Sequence, residues 1–180
     1  IHLSTAMIII SIIFWLVINI KFNKKKIFFR FSSENLPFQF LLLLIFFQVI
    51  IGAFVSGLDA GKIYPTWPKM GDTFFPNDLH LKNISDFFNF NNHSLVQFYH
   101  RSLAYIILLY VLMLTLFIYE KKLVNLFKPM KIFIYILLLQ AFLGIFTLVS
   151  GLNIYLASTH QITSVLLVFS ALNLYYFRTK

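Results

Sequence analysis

Five long apolar runs divide this chain, at residues 3–20, 38–56, 98–119, 132–149 and 161–177. A helix needs roughly 20 mostly apolar residues to cross the hydrocarbon core of a bilayer. The pattern therefore predicts five membrane helices, spans A to E, joined by polar segments of unequal length. Span A does not read as a signal peptide: no basic segment precedes it, and a basic cluster follows it. Between B and C lies the one long extramembrane segment, residues 57–97. Loops of that size are usually functional or disordered. Its first half is rich in Gly, Pro and aromatic residues, which predicts a packed structure. Residues 83–92 are polar and Asn-rich, and read as a variable excursion.

The charges sort by loop. Lys21, Lys24, Lys25, Lys26 and Arg30 stand between A and B against Glu34. Lys121, Lys122, Lys128 and Lys131 stand between C and D against Glu120, and the tail adds Arg178 and Lys180. The B–C loop sets Lys62, Lys69 and Lys82 against Asp59, Asp72, Asp78 and Asp86, and the D–E loop is uncharged. Lys and Arg favour the cytoplasmic side. The first residue is thus expected outside and the last inside. The formal net charge of +9 then reads as a topology signal with headgroup attraction, not as a nucleic-acid footprint.

Composition narrows the class. The chain is 59% apolar and 12% charged, about half the charged share of a soluble domain. That excludes an ordinary soluble globule and a disordered chain. No cysteine is present, so disulfides, thiolate-bound zinc or iron–sulfur clusters and c-type haem attachment are excluded.

Spans B and D repeat one another. B carries Gln48 and Gly52, then Ser56-Gly57-Leu58-Asp59; D carries Gln140 and Gly144, then Ser150-Gly151-Leu152-Asn153. A spacing of four puts each Gln and Gly on one helix face. Each span is followed by a helix that opens near a histidine, His100 in C and His160 in E. B–C and D–E are therefore two copies of one hairpin, as in many membrane proteins with internal repeats. Span A opens with His2, which makes it the second helix of a hairpin whose first helix is missing. With Ile1 in place of Met, this leads to the expectation of an N-terminal truncation.

The predicted topology puts His2, His100 and His160 at one depth, near the outer interface. A histidine in a bilayer is costly and a functional candidate; three in equivalent positions favour a shared ligand role over three wetted interfacial rings. The residue four places on is small each time: Ala6, Ala104 and Ser164. Small residues there suit a flat macrocycle or close helix packing, and Gly52 and Gly144 are open to both. Zinc usually takes four ligands, and no cysteine or carboxylate cluster accompanies these histidines; Asp59 is the only acid near their depth. Haem takes one or two axial imidazoles in an apolar slot between helices, which spans C and E suit. Arg101 would neutralise a propionate or anchor the helix end. His80 and His93 read as solvated.

These residues resemble the haem A synthase family. The run Gly57-Leu58-Asp59-Ala60-Gly61, continuing through Tyr64-Pro65-Thr66-Trp67-Pro68 to Gly71 and Pro76, is similar to the family's outer-loop signature. Gln97-Phe98-Tyr99-His100-Arg101 is similar to its Gln-Phe-x-His-Arg helix, with Tyr99 where the family has a polar residue. Thr159-His160-Gln161 is similar to its last His-Gln helix. The likeness covers essentially the whole chain. It implies an all-α membrane protein, the last five of eight helices, with the last four forming a haem-binding four-helix bundle. Residues 1–36 would be the last helix of an N-terminal half plus an inner basic loop. Residues 37–180 would be the C-terminal haem-binding half, with outer loop 57–97.

The resemblance also implies chemistry. His100 and His160 would ligate the iron of a haem b cofactor, with Arg101 at the same cofactor, and His2 would ligate the iron of the substrate haem o. Tyr64, Trp67 and Pro68 would cap the haem cavities. The activity would be that of an oxidoreductase. It would oxidise a ring methyl of haem o to the formyl group of haem a, by successive hydroxylations with oxygen from water, for cytochrome c oxidase. The family's Glu-x-x-His motif, whose Glu is thought catalytic, is not found in these residues, and Glu34 and Glu120 lie on the inner side. The catalytic residue is thus left unassigned, and the chain is expected to be incomplete as an enzyme.

Candidate partners are haem o, haem O synthase, cytochrome oxidase assembly factors, membrane lipids and a second copy of the chain, with no nucleic acid. The expected location is the bacterial plasma membrane, as a multi-pass protein, with the mitochondrial inner membrane as the other option. Two readings compete. A membrane b-type cytochrome that only passes electrons would use His100 and His160 equally, but not His2 or the outer-loop signature. A repeat-built transporter would need ionisable groups near the midplane, where the sequence offers only Gln48 and Gln140.

Overall fold

A computed structural model describes residues 2–179. Ile1, which bears on the expected truncation, and Lys180 of the basic tail lie outside them. The described chain is all-α: α1 (His2–Lys21), α2 (Leu36–Gly57), α3 (His93–Glu120), α4 (Val124–Val149) and α5 (Ile154–Arg178). All five are long and apolar enough to cross a membrane, and no strand occurs among the described residues. The protein is a multi-pass membrane protein.

α1 and α2 follow their apolar runs closely, whereas α3, α4 and α5 begin one to two turns earlier than expected. Capping explains two of these. The Asn92 side chain accepts from Leu95 N at 3.1 Å, and that of Asn153 accepts from Tyr155 N and Leu156 N at 3.0 and 3.4 Å. Both helices thus start at an asparagine in polar sequence. α4 runs through Pro129 because Leu126, Met130, Phe133 and Leu137 form a buried stripe at helical spacing. A buried side chain makes dozens of contacts worth roughly 0.1–0.2 kcal/mol each. Four of them outweigh the cost of about 3 kcal/mol for an interior proline.

α2 packs on α3, α3 on α4, α4 on α5, and α5 back on α2. This closes the expected four-helix ring. α1 lies outside it, against α5 and α2. Between helices in a bilayer, close packing and hydrogen bonds replace the hydrophobic drive. Trp15 of α1 is buried against Tyr175 and Tyr176 of α5. Its Nε1 donates to Lys26 O at 3.0 Å, and Lys26 Nζ donates to the carbonyls of Tyr176 (2.9 Å) and Thr179.

Arg178 also pairs with Glu34 at 2.8 Å, and Asn125 Nδ2 donates to Phe177 O at 3.0 Å. The two basic loops and the end of α5 therefore share one end of the bundle, as the charge pattern predicts. The long loop and the uncharged α4–α5 turn meet at the other. There, a Cβ on Gly61 would stand 2.8 Å from Leu152 Cδ2, so the two turns are in close contact.

Candidate functional site

The repeat seen in the sequence becomes two matching cradles. In the α2–α3 hairpin, Gln48 Nε2 donates to the main-chain carbonyl of His100 at 3.1 Å. In the α4–α5 hairpin, Gln140 Nε2 donates to the carbonyl of His160 at 2.9 Å. One turn beyond each glutamine, a glycine takes the edge of the imidazole. A Cβ on Gly52 would lie 3.1 Å from His100 Cε1, and one on Gly144 would lie 3.0 Å from His160 Cε1. The choice left open at these glycines is settled in part: each gives space to a histidine ring.

The cradles differ in their polar closure. Thr163 Oγ1 donates to Gln140 Oε1 at 2.5 Å, and His160 Nδ1 is buried with no hydrogen-bond partner. On the other side Gln48 Nε2 lies 3.2 Å from His100 Nδ1 and 3.4 Å from Nε2, while Gln48 Oε1 is the buried atom without a partner. Orphaned buried polar atoms cost about 1–3 kcal/mol each. An imidazole nitrogen left bare among apolar helices is a donor set suited to a transition-metal ion such as haem iron. His160 Nδ1 is such a nitrogen, while both His100 nitrogens face the Gln48 amide.

Above the cradles, α3 holds the outer loop. Gln97 and Arg101, one turn apart on either side of His100, share the carbonyl of Tyr64, at 3.0 and 2.8 Å. Arg101 also donates to Thr66 O at 2.7 Å and Lys69 O at 3.1 Å. These three bonds leave two of the five guanidinium N–H groups for another acceptor. Among the described residues no carboxylate pairs with Arg101. Its side chain borders a half-open pocket of about 130 Å³ with Pro68, Met70, Phe74, Phe98 and Tyr105.

Asp78 ties the loop's far limb down. Tyr64 Oη donates to its Oδ1 and Ser94 Oγ to its Oδ2, both at 2.5 Å. Burial alone would raise the Asp78 pKa. The hydrogen bonds from Ser94 and Tyr64 outweigh burial and hold the carboxyl below its ordinary 3.8. Residues 83–92, read as an excursion, are also structured: Asp86 caps a short 3-10 helix, Ile84–Phe88, and Tyr99 Oη donates to Phe87 O at 2.9 Å.

His100 and His160 sit about two turns inside their helices rather than at the ends, because the Asn92 and Asn153 caps start those helices earlier. They come together in one bundle. His2 is exposed at the start of α1, outside the ring. Among the described residues no three His, Cys, Asp or Glu side chains gather as a metal group, so the three histidines do not form one joint site. Asp59 is engaged by Lys62 at 2.7 Å. His80 and His93 are exposed, as read.

Sequence reasoning missed three roles: Gln97 and Arg101 as clamps on the loop, Thr163 as the lock on Gln140, and Asp78 as the loop's anchor. The Gln97–Arg101 spacing of four was a usable signal. Nothing in the pattern marked Thr163 or Asp78.

Comparison with known proteins places this geometry in context. Residues 1–172 match the model of a family described as "Cytochrome oxidase assembly protein", COX15-CtaA. The chain is 45% identical over 170 residues to a protein of Pelagibacter ubique (strain HTCC1062) named "Heme A synthase", covering 94% of this chain and 49% of that protein. Proteins of the same name from Wolbachia sp. subsp. Brugia malayi (strain TRS) and Rickettsia canadensis (strain McKiel) are 33% and 34% identical, covering 95% and 93% of this chain and 50% of each relative. The chain thus spans about half the length of the curated relatives it matches. No solved structure matches it.

Proposed function

This chain belongs to the cytochrome oxidase assembly protein family COX15-CtaA, and we propose that it serves as the haem b-binding, C-terminal part of a haem A synthase. The observation that carries this reading is the pair of Gln–Gly–His cradles inside one four-helix ring, with a buried His160 nitrogen that has no partner. In this reading residues 37–180 form the haem-binding half, and residues 1–36 close a neighbouring half. α1 packs outside the ring, as that division requires.

When bound, haem b supplies one-electron transfer to or from the oxidation of the substrate haem o. This chain's residues bind and orient it. His100 and His160 would hold its iron; Gln48 and Gln140 fix the backbone of each histidine; Gly52 and Gly144 leave room for each ring. Arg101 keeps two donors for a propionate while its other three hold Tyr64, Thr66 and Lys69 over the site. In this reading that strapped loop, with Trp67 and Pro68, would cap the outer end of the haem cavity.

His2 at the start of α1 would meet the substrate haem on the other side of α1. Glu34 and Glu120 sit at the inner helix ends, at the opposite end from the histidines. Neither can act as the catalytic acid. Haem o, haem O synthase and oxidase assembly factors are the partners this reading assigns, in a bacterial plasma or mitochondrial inner membrane, with a second copy of the chain open as another partner. A cytochrome that only passes electrons would also use both cradles; the family match and the outer-loop signature favour the synthase.

The test is an absorption spectrum of the purified chain. A low-spin b-type spectrum is expected, lost in both His100→Ala and His160→Ala. A spectrum that survives both substitutions refutes the ligand assignment.

A further inference from the structure

The limb of the outer loop that leads into α3 hangs beside the bundle rather than above it. Phe75 meets Phe98 edge to face, with ring centroids 5.2 Å apart. Phe74 shares a pocket wall with Ser102 and Tyr105. Tyr99 Oη donates to Phe87 O at 2.9 Å, and Phe90 stacks on Phe54 of α2 at 5.4 Å. On α3 these partners lie about one to three turns inside the helix start, and Phe54 lies in the last turn of α2. Tyr105 also heads a stripe at helical spacing, Leu109, Leu112 and Leu116, that is exposed on the outside of the ring.

Helix length fixes the depth of these contacts. α3 has 28 residues, about 42 Å at 1.5 Å per residue, against a hydrocarbon core of roughly 30 Å. Glu120, Lys121 and Lys122 keep its inner end out of the hydrocarbon. Counting back about 20 residues from there reaches Tyr99 and His100. Phe98 and Tyr99 then stand at the outer edge of the hydrocarbon, and Ser102 and Tyr105 stand inside it. A limb that touches these side chains from outside the ring lies at the level of the lipid headgroups, not in bulk water.

The side chains that this limb turns outward suit that level. Phe74 is 64% exposed, Ile84 81% and Phe88 69%. Asp86 Oδ2 accepts from Lys82 N and Asn83 N at 2.9 and 2.8 Å, which fixes the short 3-10 helix that carries Ile84 and Phe88. Single apolar residues scattered over a surface are ordinary, whereas several on one limb mark a contact. We propose that residues 74–90 are an interfacial membrane anchor, with Phe74, Ile84 and Phe88 seated in the outer leaflet among the upper acyl chains of its phospholipids. The anchor continues the lipid-facing stripe of α3 upward. Arg101 holds the loop from the protein side, through Tyr64, Thr66 and Lys69, and the leaflet holds it from Phe74 onward. The seat involves no haem contact, so it stands whether or not the haem reading does.

The chain has no cysteine, so a single introduced one carries a nitroxide spin label at a known place. Ile84→Cys and Phe88→Cys are labelled and reconstituted in vesicles of phosphatidylcholine and phosphatidylglycerol. Power-saturation electron paramagnetic resonance then reads the collisions of each label with oxygen, which concentrates in lipid, and with a water-soluble nickel chelate. Leu109→Cys on the exposed stripe gives the lipid reference, and Lys62→Cys, at an exposed charged position of the outer turn, gives the water reference. At both test positions oxygen accessibility is expected to exceed nickel accessibility, as at the Leu109 site, with the order reversed at the Lys62 site. Nickel accessibility in excess at either test position puts the limb in water and overturns the proposal. Low accessibility to both probes means that another protein surface, such as a second copy of the chain, covers the patch, and overturns it as well. Should one labelled variant fail to fold, the other decides alone.

Discussion

Replacing Gly144 by alanine puts one methyl group where the His160 ring now lies. The new Cβ would stand 3.0 Å from Cε1 and 3.5 Å from both ring nitrogens. Carbon atoms in good contact are about 3.5–4.0 Å apart, so the Cε1 edge of the ring must give by a few tenths of an ångström. Without a ligand it can turn aside, at about 0.5–1.5 kcal/mol for a strained side-chain torsion. With its nitrogen fixed on iron it cannot, and overpacking of that kind costs about 1–3 kcal/mol.

The helix itself gains about 1 kcal/mol from Gly→Ala, whether or not haem is bound. Fold stability and haem affinity should therefore part company. Gly144→Ala is expected to melt close to wild type and to bind haem b on the order of 2- to 10-fold more weakly, the difference between the bound and unbound costs. The assay is haem competition against a soluble haem acceptor, read from absorbance, beside thermal unfolding in detergent. Gly57→Ala, where a Cβ meets nothing within 4 Å, is the control. If Gly144→Ala holds haem as tightly as wild type, His160 is not seated on α4 and the cradle is wrong.

Two further outcomes concern the loop. Arg101→Leu removes three bonds to loop carbonyls, each worth at most about 1.5–3 kcal/mol from a charged donor. Limited proteolysis should then cut near residues 64–71 with helix content unchanged, and Arg101→Lys should protect only in part, because it lacks the fork; a loop equally resistant in Arg101→Leu refutes the clamp. Asp78 has a folded pKa below its ordinary 3.8, so its contribution is complete above that value and is lost as pH falls through the lower one. Protection of the loop amides, taken relative to their intrinsic exchange rate at each pH, should stay flat down to about pH 4 and fall below it, whereas a fall starting near pH 6, in the histidine range, would point to a different group.

How far the sequence reached depends on what each feature needs. Existence of the helices needs only a run of apolar residues, and all five were legible, as were the shared ends of the basic loops. Helix starts were less legible at α3 and α5, where Asn92 and Asn153 begin the helix in polar sequence that no hydropathy pattern marks. At the site, His100, His160 and the repeated Gln–Gly spacing were visible, since a spacing of four fixes a common face. What the faces touch was not.

By itself the sequence determined the membrane class, the order of five helices, the repeat and the three candidate histidines, His2, His100 and His160. All of these follow from local composition and periodicity. Only the tertiary structure decided that α2 to α5 close into a ring with α1 outside, that each glycine receives a histidine ring, and that Arg101 spends three donors on the loop. It alone showed that Thr163, three residues past His160, locks the glutamine of one cradle. The reason is physical: contacts between helices depend on distances of a few tenths of an ångström across chain separations of dozens of residues, and no local pattern encodes those distances.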